Sequence, residues 1–288
     1  MNSAMKMLIS SIACVCAQSI TANAQPVAPV ALSRSGSWTI SEGRACDLTG
    51  TFGNEADRAI LILTKHGPFD YIDVTFAPAQ MPAMTGTTAV TIDFGPTANP
   101  SKVDWAIIRM TNGQSAIQIR GQRLDDYSPI GDKSPPKLTA EMIAVVDWLT
   151  IRIGRQDYSL DLRTITRPFA ALDQCVDRMV TSWGFDPAVQ RTLSKPAEPA
   201  NYPGDWVTVN DYPTRALRQE DGGTVWFRLN LDSQGRVSDC LVQTASAPPI
   251  LQTKTCDLLK SRARFSPAID AQGKPVSSFY LNRVKWTR

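Results

Sequence analysis

Between Asp186 and Pro203 the chain carries four prolines and few large apolar side chains. Such a stretch sustains neither a helical nor a strand period and reads as a linker. It divides the 288-residue chain into two parts of ordinary domain size. One spans residues 38–185, the other residues 206–288, with 186–205 between them.

The N-terminus reads as an export signal. Lys6 precedes an apolar stretch, Met7 to Ala17, and Ala22-Asn23-Ala24 offers the small-x-small pattern of signal-peptidase cleavage. Residues 1–24 are thus expected to be a signal peptide and residues 25–37 a flexible leader, which places the protein in the periplasm. Two alternatives stay open. The stretch can be an uncleaved inner-membrane anchor, although it is short for a span. Ser11-Ile12-Ala13-Cys14 also loosely resembles a lipobox.

Export gives the cysteines their meaning. Cys46, Cys175, Cys240 and Cys256 remain after cleavage, an even number that points to disulfides. Four cysteines allow three pairings. Cys46 and Cys175 bracket the first domain and Cys240 and Cys256 lie in the second, so those two pairings are expected. Their spacing does not suit a zinc site, and the sequence has only one histidine.

The first domain is rich in strand signals. Ala59–Leu63, Tyr71–Phe76 and Ala89–Phe94 are short β-rich runs, and Asn112-Gly113 marks a hairpin between Trp105–Arg109 and Ser115–Arg120. Leu149–Ile153 and Tyr158–Leu162 alternate like two further strands. Leu138–Leu149 reads as a helix with Thr139 at its N-cap. A second helix is expected over Phe169–Trp183, between Pro168 and Gly184, with Phe169, Leu172, Val176, Met179 and Val180 on its apolar face. The expected architecture is a β-rich sandwich or barrel-like unit with one or two helices.

In the second domain, Val225, Phe227, Leu229 and Leu231 fall on one face of a strand, with Trp226, Arg228, Asn230 and Asp232 on the other. Ser233-Gln234-Gly235 turns the chain, and Val237–Thr244 returns. A short helix follows Pro213, a longer one spans Pro249–Ala263, and Val276–Trp286 closes the domain as a strand. Together they make a two-layer α+β unit with a small antiparallel sheet.

Four segments occur here in a telling order: Asp211-Tyr212-Pro213 with Ala216; Gly223-Thr224-Val225 with Asp232-Ser233-Gln234-Gly235-Arg236-Val237; Arg264-Phe265-Ser266-Pro267-Ala268; and Gly273-Lys274-Pro275-Val276. Residues 206–288 closely resemble the TonB C-terminal domain family, the periplasmic end of energy transducers that contact outer-membrane transporters. The resemblance implies recognition by β-strand addition, with the final strand as the edge: Phe279, Tyr280, Leu281, Asn282, Arg283 and Val284. It implies protein partners, TonB-dependent outer-membrane transporters or other envelope components. Homodimerisation is left open. Two departures stand against direct force transmission. The N-terminal apolar stretch lacks the transducer's functional histidine, and a short linker replaces the long proline-rich rod. The first domain, with Trp38, Cys46, Ser159-Leu160-Asp161-Leu162 and Ala171-Leu172-Asp173-Gln174-Cys175, resembles small exported invasion-associated (IalB-like) domains more loosely.

Catalytic chemistry has little to stand on. The single histidine, His66, sits in a Lys65-His66-Gly67-Pro68 turn expected to be solvated. There is no Gly-x-Ser-x-Gly elbow, no His-Glu-x-x-His and no phosphate-binding glycine loop. Asp125-Asp126 with Tyr127, and Asp173 with Asp177, read as solvated. A net charge of +3, spread without like-charge runs, gives no nucleic-acid footprint. No catalytic residue, metal or small-molecule cofactor is expected. The alternative class is an exported enzyme or inhibitor acting through the first domain, which would need a concave pocket with convergent carboxylates.

Overall fold

The computed structural model describes residues 29–95, 100–125 and 137–287. The expected signal peptide, with its cleavage and lipobox readings, lies outside the described residues, as do Asp126 and Tyr127.

The first domain is built from β1 (Val30–Leu32), β2 (Thr39–Glu42), β3 (Cys46–Phe52), β4 (Ala59–Lys65), β5 (Ile72–Ala77), β6 (Val90–Phe94), β7 (Ser101–Lys102), β8 (Trp105–Arg109), β9 (Ser115–Gln122), α1 (Ala140–Ala144), β10 (Trp148–Ile153), β11 (Gln156–Asp161) and α2 (Thr166–Ser182). Six strands form one antiparallel sheet in the order β2-β3-β4-β5-β9-β8, and five form another in the order β1-β11-β10-β6-β7. The strict alternation of buried and half-buried residues along β3 and β4 follows from the two-residue strand period. The inward residues of both sheets join one apolar core, with Phe76 against Tyr158 at 5.1 Å between ring centres. Asn112-Gly113 turns the β8–β9 hairpin as expected.

Two elements differ from the sequence reading. The leader is not loose throughout: Val30–Leu32 pair in parallel with Tyr158–Leu160, and Leu32 is buried. The free edge of β11 captures these two apolar side chains, a partner that local composition does not reveal. The helix expected over Leu138–Leu149 ends at Ala144, although Thr139 caps it through Met142 N–H as read. Trp148 and Leu149 belong to β10, whose pairing with β6 and β11 outweighs helical propensity.

Helix α2 lays Phe169, Leu172, Cys175, Val176, Met179 and Val180 into the core. Cys46 at the start of β3 is joined to Cys175 of α2 across 129 residues of sequence. Asp173 and Asp177, expected to face water, are only partly open to it, and each is paired with a cation. Asp173 Oδ1 accepts a hydrogen bond at 2.6 Å from Lys65 Nζ, whose side chain is only 2% exposed and lies 4.6 Å from the centre of the Phe169 ring. Asp177 accepts from Arg191 Nε at 2.7 Å. Helical spacing places both carboxylates on one face but cannot show that a buried ammonium and a guanidinium wait there. Removing the anion strands a cation. Asp173→Asn is expected to destabilise the protein by about 2 kcal/mol, below the usual range for a broken buried pair because Asp173 is itself partly open. Replacing both partners, Lys65→Met with Asp173→Leu, should recover most of that loss in urea denaturation.

The proline-rich stretch carries α3 (Pro187–Arg191) and β12 (Glu198–Pro199), and beyond it lie α4 (Thr214–Arg218), β13 (Gly223–Leu231), β14 (Val237–Ala245), α5 (Pro249–Arg262), β15 (Phe265–Ser266), β16 (Ala268–Ile269), β17 (Pro275–Val276) and β18 (Ser278–Trp286). A three-stranded sheet, β14-β13-β18, carries the buried stripe Val225, Phe227, Leu229 and Leu231 against α5. Helix α5 buries Leu251, Thr255, Leu258 and Leu259, and Cys256 on its flank is joined to Cys240 of β14. The proline-rich stretch is ordered here. Asp186 caps α3 through Ala188 N–H, Pro199 pairs with Phe265, and Lys195 bridges Ile269. Prolines prevent long elements but still allow short edge pairings.

Candidate partner-binding edge

Sheet order leaves β14 and β18 as the two edges of the three-stranded sheet. They are not equivalent. β14 carries two bulges, at Ser238 and Gln243, each an extra residue against the unbroken β13. A bulge leaves ladder groups without partners. At Gln243 the first domain supplies one, since Arg44 Nη1 donates to the Gln243 carbonyl. Lys260 also pairs with Asp239 at 3.1 Å. Bulges and charges of this kind blunt an edge.

β18 runs in unbroken register with β13, from Gly223 opposite Trp286 to Leu231 opposite Ser278. Successive residues of an antiparallel strand direct their N–H and C=O groups to opposite sides. Thr224 faces β14, because Ser246 N–H donates to its carbonyl at 3.0 Å. The odd-numbered residues of β13 therefore face β18 and meet even-numbered partners there. The outward groups of β18 belong to Phe279, Leu281, Arg283 and Lys285. Arg283 N–H accordingly donates to Asn282 Oδ1 at 2.8 Å rather than to a ladder carbonyl. Among the described residues no strand pairs with this outer side.

Side chains of β18 divide by face. Tyr280 packs toward the helical layer, 4.9 Å from Phe265 and 6.0 Å from Trp206 between ring centres. Val284 joins the same side. Phe279 and Leu281 turn the other way, against the first domain. Phe279 is buried among Trp183, Phe185 and Phe69, at 5.0, 5.4 and 6.0 Å. Gln190 of α3 clamps the strand's beginning, accepting from Ser278 Oγ at 2.7 Å and donating to Ser277 O at 2.9 Å. Asn282, Arg283 and Lys285 are exposed. The first domain thus covers one face of the sheet and holds the start of β18 through Phe279, while the outer ladder from Leu281 onward meets no strand among the described residues. On the covered face Arg228 stacks 4.2 Å over Trp183, and burial pushes its acidity above that of a free guanidinium.

Residues 208–287 match the family model described as Gram-negative bacterial TonB protein C-terminal. No curated protein matches the chain. The TonB-type landmarks have physical roles in the domain. Gly235 closes the β13–β14 turn at φ +75°, and a Cβ there would lie 2.1 Å from the Phe265 carbonyl oxygen. Tyr212 donates to the Asp221 carbonyl and lies 5.1 Å from Trp286. Asp211 ties the loop before α4 to the end of α5, accepting from Arg262 Nη1 at 2.6 Å and Nη2 at 2.7 Å. The Arg262 guanidinium, then the Thr208 backbone and hydroxyl donors, hold the Asp211 carboxyl far below the usual carboxylate range. A depressed folded-state value means stabilisation that is complete above the unfolded value of about 3.9 and lost as pH falls through the folded one. The stability gap between wild type and Asp211→Asn should therefore be widest above about pH 5 and close on acidification, as followed by thermal melts across pH.

The carboxylates named in the sequence serve structure. Asp125 accepts from Arg123, itself 2% exposed, at 2.7 Å. His66 is half exposed and touches Asp73 at 3.1 Å. A shallow groove of 570 Å³ on the five-stranded sheet is lined by Asp147, Asp157 and Asp161. Arg152 and Arg163 bind the latter two at 2.5 and 2.6 Å and lower their values, so neither holds a proton near neutrality. Among the described residues there is no group of three or more histidine, cysteine or acidic side chains suited to a metal, and no helix long and apolar enough to cross a membrane.

Proposed function

We propose that this is an exported, periplasmic TonB-type protein that binds envelope proteins, TonB-dependent outer-membrane transporters foremost, by adding a partner strand to β18. The observation that carries the reading is an unbulged edge whose outward N–H and C=O groups at Leu281, Arg283 and Lys285 meet no strand among the described residues, the Arg283 N–H being held only by the neighbouring Asn282 side chain, which a partner strand would displace. The family matched by residues 208–287 belongs to protein interaction in the Gram-negative envelope rather than to enzymes. An extended segment laid on such an edge gains main-chain hydrogen bonds for affinity and alternate side-chain contacts for selectivity.

The test is hydrogen exchange on the full exported chain, with and without the N-terminal periplasmic segment of a transporter. Strand addition protects the amides of Leu281, Arg283 and Lys285 and leaves those of Tyr280 and Val284, already in the ladder, unchanged. Lys285→Pro removes one outward donor at an edge position where proline is tolerated, so binding should weaken about fivefold with little change in melting temperature. Binding without new protection along β18 overturns the reading.

A further inference from the structure

A cleft of 690 Å³ opens between the two domains, and it is lined by residues of β18 itself. Its walls are Phe69, Tyr71 and Arg120 of the first domain and Trp226, Leu281 and Arg283 of the second. The Trp226 ring is flanked by two guanidinium groups, Arg120 and Arg283, each 5.0 Å from its centre. Arg44 adds a third cation at the end toward β14. None of the three forms an ion pair among the described residues. Arg120 Nη2 meets only a neutral partner, Gln118 Oε1, at 2.8 Å. The one acidic residue of the lining, Asp73, is engaged by His66 and by the Gly121 N–H. The cleft therefore concentrates positive potential beside exposed aromatic surface in a partly enclosed place, where charge contacts are stronger than on open surface.

Strand geometry says which part of a partner reaches this charge. Arg283 and Leu281 point to the cleft side of the sheet, as does Trp226 opposite Arg283. In an added strand, side chains alternate between faces, and those of every second residue lie on the cleft side next to Leu281 and Arg283. We propose that the segment this edge receives is acidic, with carboxylates on alternate residues that enter the cleft beside Arg120 and Arg283. This rests on the strand-addition reading above and names the chemistry of its partner.

The experiment uses the full exported chain and three fluorescein-labelled nine-residue peptides of alternating threonine and valine, with glutamate, glutamine or lysine at two same-face positions two residues apart. Binding is read by anisotropy at low and moderate salt, and β18 protection by hydrogen exchange. The glutamate peptide should bind about tenfold tighter than the glutamine peptide, with the lysine peptide weakest. The preference should shrink with salt and disappear in the double variant Arg120→Gln, Arg283→Gln, whose exposed positions leave folding intact. Equal affinity for the glutamate and glutamine peptides, with β18 amides protected in both, overturns the acidic preference and leaves strand addition standing. Glutamate-peptide binding without β18 protection overturns the placement together with strand addition. Displacement of the peptide by free glutamate at comparable concentration marks a small-anion site and overturns the peptide occupant, and no binding by any of the peptides overturns the proposal.

Discussion

Phe279→Ala is expected to cost about 3–4 kcal/mol and to uncouple the two domains. The ring is 6% exposed and lies at the meeting point of three aromatic side chains of the first domain and the strand they hold. Truncation leaves a cavity that the rings cannot readily fill, because Trp183 and Phe185 are both fixed by backbone hydrogen bonds to the end of α2 and Phe69 sits in a separate loop. Phe279→Leu keeps most of the volume and should cost about 1–1.5 kcal/mol. The measurement is urea denaturation followed separately by fluorescence and by protease sensitivity in the β18 region. Wild type should unfold in one transition and Phe279→Ala in two, the second domain parting first. A loss below about 1 kcal/mol, with a single transition retained, would mean that this aromatic contact does not hold the domains together.

The second large effect concerns the disulfides, and it is an ordering. Cys46–Cys175 closes 129 residues of sequence and Cys240–Cys256 closes 16. In the chain-entropy account the longer loop is worth about 5 kcal/mol and the shorter about 3 kcal/mol. The pair Cys46→Ala, Cys175→Ala should therefore destabilise more than Cys240→Ala, Cys256→Ala. It also loosens α2 from β3 next to the buried Lys65–Asp173 pair, whose geometry depends on that contact. Denaturation of the two double variants side by side gives the comparison. Equal losses would show that native packing, rather than loop closure, sets the contribution of each bridge.

What the sequence made legible shares a physical character: it depends on near neighbours. The alternation in β13, the apolar face of α2, the Asn112-Gly113 hairpin and the Asp232–Gly235 turn each follow from a short-range period or a turn requirement, and each is present. The cysteine pairing was accessible because one bridge falls inside each domain. What was hidden depends on a distant partner. Nothing near Val30 signals that β11 has an open side. Nothing near Asp173 signals Lys65, which is 108 positions away. Trp226 and Arg228 fall on the polar-looking face of β13, yet the first domain covers that face, because Trp183 and Arg120 offer them stacking surfaces. For the candidate site, the resemblance pointed to the final strand. It could not show that Phe279 and Leu281 serve the domain contact, nor that Asn282 occupies an outward amide of its neighbour. The only local hint of the cleft was the scatter of aromatic residues between arginines, a pattern too common to single out.

Gln190 holds the root of β18 from a helix that opens the proline-rich stretch, so this connection has no slack to give. A load applied along the last strand would arrive at α3 at once and, through Arg191 and Asp177, at the long helix stapled to β3. Any partner that pulled on this molecule would be hauling a braced frame, and the first joint to yield would be the aromatic seam between the domains, ahead of either covalent bridge.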